Sequence, residues 1–327
     1  MKSKPILHGC AAAIACLLAT TASAQDPEPE AIVNALFRVA GNHPNVRASG
    51  AKGICVKGTF APSAEATSLS KAPHFRNTVP VTARFSMGGG NPNISDKTKP
   101  ATRGFAMRFT DPTGDMVLVM ISAPVFVART PQQLLDFLTV RLPGPDGKPD
   151  PERIRAFAAA NPETGRQVVW LNARPVPASF AGVDYWGVHA YTLTNGQGEA
   201  RAVRLKAVAA AGQLGLTEDE LKAKTDDFYA SELKDRLGTG PAAFTLLAVL
   251  GEAGDPVNDV TVAWPEESRR MVTLGTIAIA SIEPSATCDA ATFDPVDLPE
   301  GIAGPANDPM FAIRSPAYAI SLSRRTP

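Results

Sequence analysis

Apolar residues at Ile32, Leu36 and Val39 recur at helical spacing and predict a short amphipathic helix over 31–39. Beyond a polar, glycine-flanked loop the period drops to two. Ile54–Phe60, with β-branched and aromatic side chains, and Val79–Ser86, which alternates, predict strands. Gly53 and Gly58 mark places on the first strand where another backbone comes close. The 216–237 stretch returns to helical spacing with many charges, opened by Thr217 with Glu220 three residues on, the capping-box pattern. Twenty-nine prolines and 26 glycines fit many loops around a β-rich core better than a helical bundle.

The first 24 residues stand apart. Lys2 and Lys4 precede an apolar run from Gly9 to Leu18, and Ala22-Ser23-Ala24 forms a small-x-small cleavage pattern before Gln25. The expectation is a signal peptide over 1–24, a leader with a short helix over 25–40, and one domain over 41–327. The apolar run is too short to span a bilayer, so the chain is expected to be exported in soluble form, in a bacterium to the periplasm. Cleavage would leave Cys55 and Cys288, either bridged in that oxidising compartment or buried as two thiols.

Composition narrows the partners. At 44% hydrophobic and 20% charged, 327 residues can bury a sizeable core, and 32 basic side chains balance 32 acidic ones. That balance gives no reason to expect nucleic acid or an anionic membrane surface, and leaves small molecules as the expected partners.

The most chemically pointed stretch is near the end. Arg314-Ser315-Pro316-Ala317-Tyr318 leads into a segment that closes on Arg324 and Arg325. Proline is tolerated in a first helical turn, so a helix should begin near Pro316, with Arg314 just ahead of it and cations on the face of Tyr318. Cations there favour a phenolate over a phenol, whose ordinary pKa is about 10. Tyrosinate is one of the few protein ligands that haem iron accepts; catalase is the standard instance of that ligation.

Motifs in order along the chain carry a resemblance that agrees. Arg47-Ala48-Ser49-Gly50-Ala51-Lys52-Gly53 opens the first strand; Ala83-Arg84-Phe85-Ser86 ends the second and runs into a glycine-rich turn. Arg103-Gly104-Phe105-Ala106, Ile121-Ser122-Ala123-Pro124-Val125-Phe126, Tyr185-Trp186-Gly187-Val188-His189, Asp255-Pro256 with Trp264, and Asp308-Pro309 ahead of Arg314 and Tyr318 follow. The chain resembles the catalase-related peroxidases, the small haem-containing branch of the catalase superfamily, from about residue 41 to 325.

The resemblance implies an α+β fold, a catalase-like closed antiparallel β-barrel with helices packed outside, and a haem b at its side. It implies Tyr318 as the iron ligand, Arg314 and Arg325 beside the haem, Arg47 and Arg84 pairing with the haem carboxylates, and His189 on the proximal side, where a structural role is the alternative. It further implies a peroxidase that takes hydrogen peroxide or an organic peroxide and a small electron donor, as a monomer or small homo-oligomer.

The departure lies on the distal face. The family motif reads Arg-x-x-His-Ala-Lys-Gly, and its histidine position is Gly50 here. General acid–base help of this kind is worth about 10²–10⁴-fold, and glycine supplies none. The catalytic base is therefore unassigned, with His43 and, behind it, His74 as substitutes. Neighbouring departures are Ile121 or Ser122 where large catalases carry asparagine, and Leu134 where they carry a second phenylalanine. A catalytically impaired haem-binding protein is the alternative reading.

Overall fold

Alternating side chains give each predicted strand an apolar face, and eight strands bury those faces against one another. In the computed structural model, which describes residues 26–290 and 292–325, they are β1 Gly53–Pro62, β2 Val79–Met87, β3 Arg103–Asp111, β4 Gly114–Ile121, β5 Tyr185–Thr194, β6 Ala200–Ala209, β7 Ala242–Leu250 and β8 Met271–Ile282. All pair antiparallel in the order β4-β3-β2-β1-β8-β7-β6-β5, and an Ile121↔Trp186 pair between β4 and β5 closes the barrel. Closure leaves no exposed edge among the eight. A two-residue strand, β9 Ile302–Ala303, is added beside β5. The expected signal over 1–24 lies outside the described residues.

The barrel interior is full. Phe60, Phe85, Phe105, Phe109 and Phe244 are wholly buried, with Phe85 and Phe105 stacked at 4.5 Å. Phe180, from a turn outside the strands, stacks on Phe85 at 5.4 Å and packs against Tyr229. Each such ring contributes about 1.5–3 kcal/mol by leaving water. A large flat cofactor has no place inside this core and would have to sit beside the wall. Gly58 is glycine because a Cβ there would run into the carbonyl of Ala278 on β8.

Ten helices surround the barrel among the described residues: α1 Pro29–Ala40, α2 Ala66–Leu69, α3 Pro131–Thr139, α4 Pro151–Ala160, α5 Arg166–Asn172, α6 Glu218–Ala223, α7 Phe228–Thr239, α8 Ser285–Asp289, α9 Pro309–Ala312 and α10 Arg314–Ser323. Thr217 and Glu220 form the expected capping box, but the predicted single helix breaks into α6 and α7. The break coincides with Asp226 and Asp227, which are drawn to Ser95 Oγ and Lys52 Nζ, each at 2.6 Å. α10 starts at Arg314 itself, about two residues earlier than expected, and takes Pro316 within its first turn. α1 is more than a leader helix: Ile32 and Ala35 share an apolar cluster with Leu134 of α3, Val188 and Met310. Cys55 and Cys288 are bridged, with Cα atoms 5.8 Å apart.

Candidate functional site

Four side chains from distant parts of the chain form a line of hydrogen bonds. Asp308 caps α9, its carboxylate accepting from the backbone N–H groups of Met310 and Phe311, and its other oxygen stands 2.6 Å from His189 Nδ1. His189 Nε2 is 3.0 Å from Arg314 Nη1, and Arg314 Nη2 donates to the Tyr318 hydroxyl oxygen at 2.7 Å. A guanidinium has no acceptor, so His189 Nε2 must carry the lone pair and Nδ1 the hydrogen that Asp308 accepts. The tautomer is thereby fixed from both ends.

Local structure explains the line. The β5–β6 ladder is interrupted between Trp186 and Ala190, and His189 falls in that interruption, buried, with Phe311 edge-on at 5.1 Å. Such irregularities re-aim side chains at functional sites. Arg314 and Tyr318 are one helical turn apart and therefore share a face of α10. Burial, and then the positive charge of Arg314, hold the His189 imidazole below its ordinary pKa even though Asp308 works the other way. The Arg314 guanidinium is held above its ordinary value: burial opposes its charge, and the adjoining Tyr318 oxygen outweighs that.

The three other arginines converge beside this line. Arg84 is buried and pushed down to about 10, first by burial and then by repulsion from Arg47. Arg325 is also pushed down to about 10, by burial and by Arg47. Arg47 is lowered by burial and senses both Asp289 and Tyr318. Arg47 donates to the Cys288 carbonyl at 2.5 Å and lies 3.7 Å from the Asp289 carboxylate; Arg325 donates to the Asp289 carbonyl at 3.2 Å. Arg84 donates to the carbonyls of Gly50 and Ala51 at 2.5 and 2.9 Å. Gly53 leaves room for its guanidinium, which a Cβ would approach to 2.6 Å. Guanidiniums that destabilise one another's charge, Arg84 buried and Arg47 and Arg325 half-buried, suit a dianionic ligand, which would relieve that repulsion. A tyrosine oxygen bonded to a cation, beside a group of cations, is a donor set that fits a ferric porphyrin with two carboxylates.

The loop after α1 reaches α10. Ala48 N–H donates to Ser321 Oγ of α10 at 3.1 Å, tying the loop that carries Gly50 to the helix that carries Tyr318. Gly50 has φ +68°, and a Cβ there would stand 3.1 Å from Ser86 Oγ. The positive φ and the nearness of Ser86 favour glycine at this position. Ile121, Phe126 and Leu134 belong to the apolar cluster that α1 helps to form. Ser122 Oγ accepts from Arg103 N–H at 2.9 Å, which commits it to the start of β3.

The structure brings together Tyr318, Arg314, His189, Arg47, Arg84 and Arg325. It does not bring His74 to them: that imidazole is fully buried, with Nε2 3.2 Å from the Phe109 carbonyl. His43 lies in the loop after α1, its Nε2 turned back toward Gly41. Sequence reasoning missed two residues. Asp308 was legible as Asp-Pro before a helix, an N-cap signal, but its reach to His189 was not. Ser321, three residues after Tyr318, gave no signal.

A closed barrel with a tyrosine–arginine–histidine–aspartate line on its flank and a cationic cluster beside it fits a haem-protein type of site. The catalase family model matches residues 38–326, and the chain belongs to the catalase family. It is 34% identical over 303 residues to a catalase-related peroxidase of Synechococcus elongatus, covering 91% of this chain and 88% of that one. A catalase-related peroxidase of Mycolicibacterium paratuberculosis is also 34% identical over 303 residues, with 91% and 95% covered. Among solved structures, a fungal catalase superposes with a TM-score of 0.77 at 21% identity over 90% of this chain, and catalase A of Saccharomyces cerevisiae gives the same three values. The chain spans 62% and 64% of those longer catalases, so that likeness shows the barrel fold alone.

Proposed function

We propose that the protein is an exported, haem b-dependent peroxidase that reduces hydrogen peroxide or organic peroxides with a small electron donor, with Tyr318 as the iron ligand. The observation that carries this reading is the unbroken line Asp308–His189–Arg314–Tyr318. Membership of the catalase family and the names of the two 34%-identical relatives support it. The disulfide and the signal-like residues 1–24 support export to the periplasm.

Bound against Tyr318, haem iron supplies the two-electron chemistry by which a peroxide O–O bond is split. Everything else falls to the chain. Asp308 keeps the hydrogen of His189 on Nδ1; His189 Nε2 then accepts from Arg314 and orients its fork; Arg314 gives a second hydrogen bond to the Tyr318 oxygen, complementing negative charge there. Arg47 and Arg84 would hold the haem carboxylates, with Arg325 beside them. Gly50 supplies no side-chain base for proton transfer on the distal face, so turnover with hydrogen peroxide is expected to be slow.

A second reading has its own observation. The positive φ of Gly50 and the closeness of Ser86 suit a site maintained without the histidine, which favours a haem-binding protein of low peroxidase activity. One experiment separates the two and tests what they share. Haem-loaded mature protein should show a high-spin ferric tyrosinate-type spectrum that responds to added peroxide; a haem spectrum indifferent to peroxide selects the binding protein. Tyr318→Phe should abolish or grossly alter that spectrum. An unchanged spectrum in Tyr318→Phe refutes the ligand assignment in both readings.

A further inference from the structure

We infer that the Cys55–Cys288 disulfide is a redox-controlled clamp on the arginine cluster, gripping Arg47 and Arg325 when oxidised and releasing them when reduced, so that reduction loosens the hold on the haem carboxylates. The inference rests on the haem reading above. The disulfide joins β1, just after the loop that carries Gly50, to α8, and α8 ends at the atoms that hold the arginines. Arg47 binds the carbonyl of the bridged Cys288 itself and pairs with the Asp289 carboxylate, while Arg325 binds the Asp289 carbonyl. Asp289 also acts on the charge of Arg84. One covalent bond thus positions a partner of each of two arginines and the field at a third.

The segment is built to respond. α8 has five residues, no side-chain N-cap, and Cys288 as its single buried residue. Pro284, Ser285, Ala286, Asp289 and Ala290 are exposed. The strand before it is anchored separately, Glu283 N–H donating to the Cys55 carbonyl at 2.8 Å. Opening can therefore be confined to 284–290. Both sulfurs are buried with Val117 and Phe293, so a reductant reaches them when α8 lifts. A dithiol is the reductant class: its thiolate attacks one cysteine sulfur and the S–S bond breaks, the departing cysteine sulfur taking a proton. The second thiol, giving up its proton, then closes on the mixed disulfide and frees the other cysteine, which is protonated in turn. The dithiol ends as a disulfide and the protein gains two electrons and two protons.

The test compares disulfide-bonded protein, dithiol-reduced protein with thiols counted by mass, and the Cys55→Ser/Cys288→Ser variant, each titrated with haem. Near-ultraviolet circular dichroism checks the fold, and amide exchange is followed without haem. Expected on reduction are at least tenfold weaker haem binding and faster exchange at both 284–290 and 47–52, reproduced by the double variant without reductant. Free thiols with haem affinity within twofold of the bonded protein and unchanged exchange at 47–52 overturn the clamp. If neither form takes up haem, the haem reading has failed, and exchange at 47–52 decides the clamp by itself. If reduction unfolds the chain, Asp289→Ala in the bonded protein decides. Haem binding weakened threefold or more supports the grip on the arginines, and unchanged affinity overturns it.

Discussion

Replacing Gly50 by histidine looks, in the sequence, like the restoration of a missing catalytic group. The structure predicts a different outcome. Gly50 holds φ +68°, a left-handed conformation that costs an L-residue about 1–2 kcal/mol. Its carbonyl is bound by Arg84 at 2.5 Å, so the loop cannot relax without giving up that bond. A Cβ would also press to 3.1 Å from Ser86 Oγ and 3.7 Å from the Arg84 guanidinium. The hydroxyl can turn aside, so the backbone term dominates for alanine, and crowding adds to it for imidazole. Gly50→Ala should lose about 1–2 kcal/mol, a fall in midpoint of about 2–3 °C for a domain of this size. Gly50→His should lose at least as much. Peroxide turnover by haem-loaded Gly50→His should gain less than about tenfold, well short of the 10²–10⁴ of a well-placed acid–base group. Thermal unfolding of the three proteins, with turnover measured on each at equal haem content, is the assay. A Gly50→Ala protein as stable as wild type, or a hundredfold gain in Gly50→His, would refute the view that the loop is built for glycine.

Two further outcomes follow from the hydrogen-bond line. Asp308→Ala removes the α9 cap, worth about 1 kcal/mol, and leaves the buried His189 Nδ1–H without its acceptor, about 1–3 kcal/mol more. Urea unfolding should register a loss of about 2–4 kcal/mol, and a loss under about 0.5 would show that the carboxylate is not needed to hold the line. The second outcome concerns pH. His189 and His74 are both lowered, chiefly by burial. In the unfolded chain each protonates near 6.5, while the folded protein resists protonation, so the unfolded state binds more protons and stability rises with pH across that window. Stability is full above about 6.5 and falls as pH drops toward the lowered folded values, by up to about 1.4 kcal/mol per pH unit per histidine. Urea midpoints at pH 7.5 and 5.5 should differ accordingly, and the difference should shrink in His189→Gln/His74→Gln; an equal or reversed pH response would refute the assignment of both rings as neutral.

Much of this was legible in one dimension because strands and cap signals are local. The alternation of Val79–Ser86 fixes which side chains face the barrel, and Thr217 with Glu220 fixes a helix start, whatever the rest of the chain does. Arg314 and Tyr318 were legible for the same reason, since one helical turn separates them. The acidic end of their hydrogen-bond line was not. His189 and Asp308 meet across 119 residues through an interruption of the β5–β6 ladder, and no local spacing encodes that meeting. The same limit explains Gly50. Sequence shows which atoms the position lacks, whereas the left-handed backbone and the arginine that pins it are tertiary facts, set by β2 delivering Arg84 and Ser86 opposite the loop. An absent side chain in a motif is thus weak evidence of an empty slot: the surroundings have to be known before a missing histidine can be told from a position that no longer accepts one. Here they make the loop that carries Gly50 a structural element of the arginine cluster, so changes at Gly50 should be felt at Arg84.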